Sequence, residues 1–441
     1  MIIEVNSIII ASISSKEKFI FDKFKITVPE NITSEQFGEW ISGFIDGEGY
    51  LGFYIDKNNS ATPKFTFKIE THIDDINILY LIQNYFKAGS VYTSKTRAAA
   101  IYIISGYKNC YNNVVPLLDK YPLKTNKYYD FINFRDIITI RLTISSNRLE
   151  GDILNKAIIT KNKINSRNFR NSPTGITISK YWLLGFIEGE GTFVIKNLVP
   201  YFQVGQHKKS EYLLDIITQY LYKSVDSRYK FKISKTLNKR TSVLIISVTS
   251  IEVLFEMNKS LFITIPFQSR KKIDFLYWSI VLYIHKYGYF FIKEGRKFVI
   301  ETSVYFNTYR YTNAKIVATV PNFEALESVL SKPFSVIIDE NLNHTEMAKL
   351  FSKSQGKPKI WIYDNDKLIE GSPFTGYGQA LKIINKPTNS NIVLTRPTAE
   401  LVILILVKNI IIVIVFILLK NIISRIIYLR QDFITFTSIP T

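Results

Sequence analysis

Glu48 and Glu190 are the residues whose setting promises chemistry, because each closes the same short word. Gly43-Phe44-Ile45-Asp46-Gly47-Glu48-Gly49 recurs as Gly185-Phe186-Ile187-Glu188-Gly189-Glu190-Gly191. Each copy follows an apolar stretch containing a tryptophan, Trp40 or Trp182, and precedes an aromatic-rich, strand-like run. Such a duplication suggests two similar halves facing one axis, where any site receives one acid from each half. Two carboxylates near one axis repel, or one of them takes up a proton. A helix C-terminus is already partly negative, so an acid placed there is destabilised. A sequence that accepts this cost twice calls for a compensating cation. Carboxylate oxygens suit a hard ion such as Mg²⁺. Paired acids holding metal at a symmetric centre suit in-line phosphodiester hydrolysis. For one copy, a solvated acid on a structural helix is the simpler reading; two copies inside a long duplication favour a site. Asp46 and Glu188, two positions earlier, face another side of the helix and are expected only to cap or pair locally.

The elements that carry these acids are legible. Thr33-Ser34-Glu35-Gln36 has the form of a capping box before an apolar helix. The helix is expected to reach Glu48, with Gly49 as its C-terminal stop. Gly43 and Gly47 share one helix face, as do Gly185 and Gly189. Glycine inside a helix costs about 1 kcal/mol relative to alanine. The simplest reason for keeping these four is that the two motif helices pack closely against each other. Lys64 to Ile69 alternates strictly, with Phe65, Phe67 and Ile69 on one face and Lys64, Thr66 and Lys68 on the other. Strands are also expected at Tyr50–Ile55, Ser90–Lys95 and Ala99–Ser105, with a helix at Asp74–Phe86. The second half repeats the order: a motif helix after Ser179, strands at Thr192–Lys196 and Tyr201–Gln206, a helix from Ser210 to Lys223, then strands at Arg228–Ser234 and Val243–Thr249. The segment from Pro266 to Phe275 matches that from Pro122 to Phe131 in position and largely in type.

Composition narrows the partners. The 441 residues carry 56 Lys and Arg against 37 Asp and Glu, a formal charge of +19, which favours a polyanion: nucleic acid or an anionic membrane. Apolar residues make up 46%, too many for a disordered chain. One cysteine, Cys110, and four histidines (His72, His207, His285, His344) without ligand spacing exclude a disulfide framework and a cysteine zinc site. The N-terminus shows neither a secretory pattern nor an Arg-rich leader. Usage leaning to Ile, Asn, Lys, Phe and Tyr matches A/T-rich codons, as in an organelle genome.

Ile41-Ser-Gly-Phe-Ile-Asp-Gly-Glu-Gly49 and Leu183-Leu-Gly-Phe-Ile-Glu-Gly-Glu-Gly191 resemble the signature of LAGLIDADG homing endonucleases, specifically the single-chain, two-motif members of fungal mitochondrial introns. The resemblance covers about residues 34–290. It implies an α+β fold of two pseudo-symmetric αββαββα units, with saddle-shaped antiparallel sheets, paired through the motif helices. It places the metal-binding acids at Glu48 and Glu190 and adds the backbone carbonyls of Gly47 and Gly189. A basic residue that orients water or stabilises charge falls on Lys127 and Lys271. A glutamine of the family's Phe-Gln-Val-x-Gln strand falls on Gln206, where the first half has Thr71, so the two half-sites need not be equally competent. The DNA-facing candidates are Lys64, Lys68, Gln203, Arg228, Lys230 and Lys232. The last three alternate with Tyr229, Phe231 and Ile233 and are expected on one strand face. Gln203 can bond adenine bidentately, and the lysines are expected to meet phosphates.

The expected organisation is a lead-in (1–33), a first unit (34–145), a basic linker (146–176), a second unit (177–290), an extension (291–400) and an apolar tail (401–441). Lys359-Ile-Trp-Ile-Tyr-Asp364, with a helix near 378–384, weakly resembles an accessory DNA-binding repeat. The 401–419 run has the length of a bilayer span, but Lys408 and Asn409 interrupt it. The leading expectation is a monomeric, Mg²⁺-dependent, site-specific double-strand DNA endonuclease of mitochondria that promotes intron homing. No membrane partner is expected for the core. The alternative is a maturase bound to its own intron RNA. A membrane protein driven by the tail is a third reading, and no intein splice junction is visible.

Overall fold

Helix α1 spans Ser15–Phe24 and the first motif helix, α2, spans Ser34–Glu48. The capping box ahead of α2 forms as spelled: the Thr33 hydroxyl accepts from Gln36 N at 3.3 Å, and the Gln36 side chain accepts from Thr33 N at 3.0 Å. The computed structural model describes residues 2–4, 15–55, 62–145, 148–164, 175–226, 231–305 and 320–330, and beyond them residues 346, 349, 359–364, 367–368, 370, 401–407, 410–416, 425–429 and 434–438.

From α2 the chain runs directly into β1 (Gly49–Ile55), then β2 (Pro63–His72), α3 (Ile76–Phe86), β3 (Ser90–Thr93), β4 (Ala99–Ser105), α4 (Val115–Lys120) and α5 (Lys127–Leu142). Helix α6 (Gly151–Lys161) follows within the stretch read as a linker, with Ala157 buried. The second motif helix, α7 (Lys180–Glu190), opens on Ser179, whose hydroxyl accepts from Trp182 N at 3.1 Å. The order then repeats: β5 (Gly191–Lys196), β6 (Val199–His207), α8 (Glu211–Lys223), β7 (Ser234–Asn238), β8 (Val243–Val248), α9 (Ile251–Ser260) and α10 (Lys271–Lys286). Each unit builds a four-stranded antiparallel sheet, ordered β1-β2-β4-β3 and β5-β6-β8-β7. The expected α+β architecture of two like units is therefore present.

Alternation makes each sheet two-faced. In β2, Phe65, Phe67 and Ile69 are buried while Lys64 is exposed. In β6, Pro200, Phe202 and Val204 are buried between half-exposed Tyr201 and Gln203. Helices α3 and α8 bury Ile78, Leu79, Ile82 and Phe86, and Leu213, Leu214, Ile217 and Leu221. Each such side chain contributes about 1.5–3 kcal/mol of burial. The opposite sheet faces stay open.

The segments flanking the repeat brace the second unit. The Tyr277 hydroxyl of α10 donates to Glu17 of α1 at 2.7 Å, and Phe24 lies 5.2 Å from the Tyr283 ring. Helices α11 (Lys293–Tyr305) and α12 (Phe323–Leu330) complete the layer, with the Phe323 ring 5.6 Å from Tyr277 and 5.1 Å from Phe298.

Residues 345–441 form a second compact unit. Its sheet has six strands, in the order Lys367–Leu368, Lys359–Asp364, Leu401–Val407, Ile410–Phe416, Arg425–Leu429 and Ile434–Ser438. The apolar run thus contributes two antiparallel strands, in keeping with its β-branched Ile and Val content. Among the described residues, no helix is long and apolar enough to cross a membrane. Lys408, Asn409 and the helix expected near 378–384 lie outside the described residues.

Candidate active site

The motif glycines bring α2 and α7 into backbone contact. A Cβ on Gly43 would overlap the Trp182 carbonyl oxygen and sit 2.9 Å from Phe186 N; one on Gly185 would overlap the Trp40 oxygen and sit 2.9 Å from Phe44 N. One turn later the glycines face each other: a Cβ on Gly47 would lie 3.2 Å from Gly189 Cα, and the reverse distance is 3.3 Å. The helices cross through these positions, and the acids leave from the far end. Glu190 Cγ lies 3.4 Å from the Cβ position of Gly47, and Glu48 Cγ lies 3.5 Å from that of Gly189. Each acid folds its stem over the partner helix's last glycine, so both carboxylates converge on the shared axis.

Gly49 ends its helix by a different route from the one expected. Its φ is −76°, extended rather than left-handed, and Gly191 has −81°. Glycine is needed because a Cβ on Gly49 would sit 2.7 Å from the Ile45 carbonyl oxygen. The chain therefore passes from helix to strand without a turn, which fixes Glu48 between them.

Burial, then the charge of Glu190, push the Glu48 carboxyl above its usual range. Burial also raises Glu190, opposed by Lys127, by a hydrogen bond from the Gln206 side chain and by Lys271. The lysines come from the starts of α5 and α10. Lys127 Nζ donates to the carbonyls of Ile45 at 3.0 Å and Gly47 at 2.7 Å. Lys271 Nζ donates to Ile187 at 3.0 Å and Gly191 at 2.6 Å. Burial depresses both ammonium groups below the usual lysine range. Each lysine places a cation on the negative end of a motif helix. Part of the compensation that the sequence demanded is therefore internal. The repulsion between the two acids is not removed by it.

The halves differ around their acids. Gln206 bonds Glu190, whereas Thr71 Oγ1 is buried without a hydrogen-bond partner. Thr71 lines a cavity of about 550 Å³ with Glu48, Glu70, Gly189 and Lys271. Gly47 O accepts from Lys127, while in the second half Lys271 turns to Gly191 instead of Gly189. Sequence reasoning missed Glu70, whose charge adds to the upward push on Glu48 and which pairs with Arg97 at 2.7 Å.

The open sheet faces flank this centre. On the first, Lys64 faces Tyr54 across the ladder and Lys68 faces Tyr50. Gln203 lies on the second, its amide nitrogen donating to Ser247 Oγ at 3.0 Å, so that nitrogen is already engaged. The cationic strand expected at Arg228–Ser234 does not form over its described residues 231–233. The partner strand β8 faces Ser234–Asn238 through Val243–Ser247, so the ladder begins where the expected strand ends. Lys232 is exposed ahead of β7, not on it. Ile233 and Phe231 serve the alternate task of packing, Ile233 N donating to the Tyr222 hydroxyl at 3.0 Å and Phe231 lying 4.8 Å from the Tyr222 ring. Arg228 and Lys230 lie outside the described residues.

Comparison with known proteins agrees with this geometry. The LAGLIDADG endonuclease family model matches twice, over residues 41–138 and 183–282. The chain is 27% identical over 406 residues to the uncharacterized mitochondrial protein RF1 of Saccharomyces cerevisiae, covering 85% of this chain and 82% of that protein. It is 25% identical over 283 residues to the probable intron-encoded endonuclease Cox1-I1b of Schizosaccharomyces pombe, covering 60% of this chain and 71% of the relative. Among solved structures, the I-LtrWI LAGLIDADG homing endonuclease bound to target DNA superposes with a TM-score of 0.55 at 22% identity, over 63% of this chain and 99% of that one. At that identity the likeness is one of fold.

Proposed function

We propose, from the premise that this chain belongs to the LAGLIDADG endonuclease family, that it is a site-specific double-strand DNA endonuclease which promotes homing of the intron encoding it. The observation that carries the proposal is the convergence of Glu48 and Glu190 on one axis. Nothing in helix packing asks for two desolvated, mutually repelling acids there, and binding of RNA alone has no use for them. The mitochondrial and intron-encoded names of its relatives, with A/T-rich residue usage, support a mitochondrial protein.

The donor set fits a hard divalent cation. It offers carboxylate oxygens whose charge is held back by burial and mutual repulsion, and helix-end carbonyls beside them. Among the described residues no group of three or more His, Cys, Asp or Glu gathers to hold a metal. Two carboxylates suffice for Mg²⁺, which takes one or two and keeps its other positions for water and phosphate. Glu48 and Glu190 would hold it, with the Gly189 carbonyl beside them; the Gly47 carbonyl already accepts from Lys127 at 2.7 Å and would have to share that oxygen to join them. When bound, the cation supplies Lewis acidity to the scissile phosphate and its leaving oxygen. Lys127 and Lys271 hold positive charge beside the acids and hydrogen-bond the helix ends that carry them. Gln206 orients Glu190; Thr71 offers a hydroxyl in the equivalent place. Lys64 and Lys68, with Tyr50 and Tyr54 opposite, seat the first half-site, and Gln203 offers the second its carbonyl oxygen and the amide proton not given to Ser247. A monomer supplies both halves.

The test is cleavage of a pooled double-stranded DNA library by the full chain. Mg²⁺ should yield one enriched cut sequence, and Ca²⁺ should allow binding with little cutting. Absence of cutting in Mg²⁺, or cutting without sequence preference, would overturn the reading.

A further inference from the structure

Asp46 and Glu188 have a larger part than the local caps expected of them. Both are buried. Asp46 Oδ1 accepts from Thr125 N at 3.0 Å and from the Thr125 hydroxyl at 2.6 Å; Oδ2 accepts from Lys124 N at 2.7 Å and from the Trp182 indole at 3.0 Å. Glu188 Oε1 accepts from Ser269 N and the Ser269 hydroxyl, both at 2.6 Å, and from Gln268 N at 3.0 Å; Oε2 accepts from the Trp40 indole at 2.5 Å. The hydroxyls pass the connection on. Thr125 Oγ1 accepts from Lys127 N at 3.2 Å, and Ser269 Oγ accepts from Lys271 N at 3.2 Å. Each lysine then reaches back to its own motif helix. The result is a closed ring in each half: motif helix, acid, hydroxyl, lysine, motif helix. The indole on each acid comes from the opposite half.

We propose that Asp46 and Glu188 are positioning residues, which through Thr125 and Ser269 fix the Lys127 and Lys271 ammonium groups beside Glu48 and Glu190. The proposal rests on the endonuclease reading of that centre. A buried charge is costly unless fully hydrogen-bonded, and a well-packed apolar residue can replace a buried ionic group without loss of stability. Stability alone therefore gives no reason for two such acids. The halves also reach the same connectivity with different parts, Asp with Thr in one and Glu with Ser in the other. That is the pattern of a retained placement rather than a retained shape. Because each acid takes an indole from across the axis, the lysines are set only when the halves are paired.

Asp46→Asn is the obvious variant, but it risks the fold. Thr125→Val and Ser269→Ala remove only the relaying hydroxyls. Single-turnover cleavage is followed on each DNA strand separately, with affinity measured in Ca²⁺. Thr125→Val should slow one strand about 10- to 100-fold, the scale of a small misplacement of a reacting group. Ser269→Ala should slow the other strand. Affinity should hold, and Thr125→Ser should restore the rate. Hydrogen exchange on the same proteins reads the anchor without cleavage: Thr125→Val should speed exchange at residues 124–129 and leave 268–273 unchanged, with the reverse for Ser269→Ala. Equal slowing of both strands, no slowing, or unaltered exchange overturns the proposal. If the wild-type chain cuts nothing, the endonuclease reading fails by itself, and exchange still decides whether the anchors hold these segments.

Discussion

Replacing Gly43 by alanine isolates the contact on which the site is built. The substitution favours the helix by about 1 kcal/mol. Against that, the new methyl overlaps the Trp182 carbonyl oxygen and lies 2.9 Å from Phe186 N. Both obstacles are backbone, so no side chain can rotate away and the helices must part. Overpacking of a tight core costs about 1–3 kcal/mol, and a backbone obstacle belongs at or above the upper end. The net loss is therefore about 2 kcal/mol, a fall in Tm of about 3 °C for a compact unit as large as residues 1–344, whose unfolding entropy is about 2.1 cal/mol/K per residue. Gly47→Ala is the internal control. Its methyl meets Gly189 Cα at 3.2 Å and Glu190 Cγ at 3.4 Å, so its effect should stay within about 1 kcal/mol of zero. Gly43 and Gly185 act at one crossing, and once the helices have separated a second methyl meets less resistance. Gly43→Ala with Gly185→Ala should lose less than the sum of the two. Thermal and urea unfolding of the series measures all of this. A Gly43→Ala protein as stable as wild type, or one no worse than Gly47→Ala, would refute the close crossing.

Glu48 and Glu190 should contribute stability to the metal-free chain that is lost as pH rises. Their folded pKa values lie above the ordinary 4.5, so between that value and the raised ones they bind more protons in the folded state than in the unfolded state, and their share of the slope of stability with pH is negative. Burial raises Asp46 and Glu188 too, so the share of the metal-site pair is read as a difference: Glu48→Gln with Glu190→Gln should flatten the metal-free slope, Mg²⁺ should do the same to the wild type, and its binding should release protons; scanning in EDTA and calorimetry in buffers of different ionisation enthalpy check both, and a slope unchanged by the double substitution contradicts the assignment. DNA affinity should drop steeply with salt. Lys64→Ala and Lys68→Ala should each reduce the slope of log affinity against log salt by about 1 if the lysine meets a phosphate, as fluorescence anisotropy titrations would record; an unchanged slope removes that lysine from the contact.

Much of this was legible because the deciding interactions are local. The capping box needs only Thr33 and Gln36, and the β2 faces need only the alternation of Phe65, Phe67 and Ile69 with lysines. The glycine spacing foretold the helix crossing, since a bare helix face has few other uses. Long-range pairings were less accessible. The strand read at Arg228–Ser234 had the right alternation, but its limits are set by β8, a partner only six residues long. The roles of Asp46 and Glu188 depend on indoles across the axis, though Trp40 and Trp182 stand at matching offsets in both copies. The lysines that offset the helix dipoles arrive from helices far along the chain. The bracing role of the lead-in was hidden too, because Glu17 and Phe24 meet Tyr277 and Tyr283 far along the chain.

The most direct measurement is strand-resolved cleavage by Glu48→Gln and Glu190→Gln, each beside wild type on the selected target. A shared centre predicts that either protein still binds the duplex in Ca²⁺ and fails on at least one strand in Mg²⁺. Either variant cutting both strands at the wild-type rate would show that these two glutamates do not form the reactive centre.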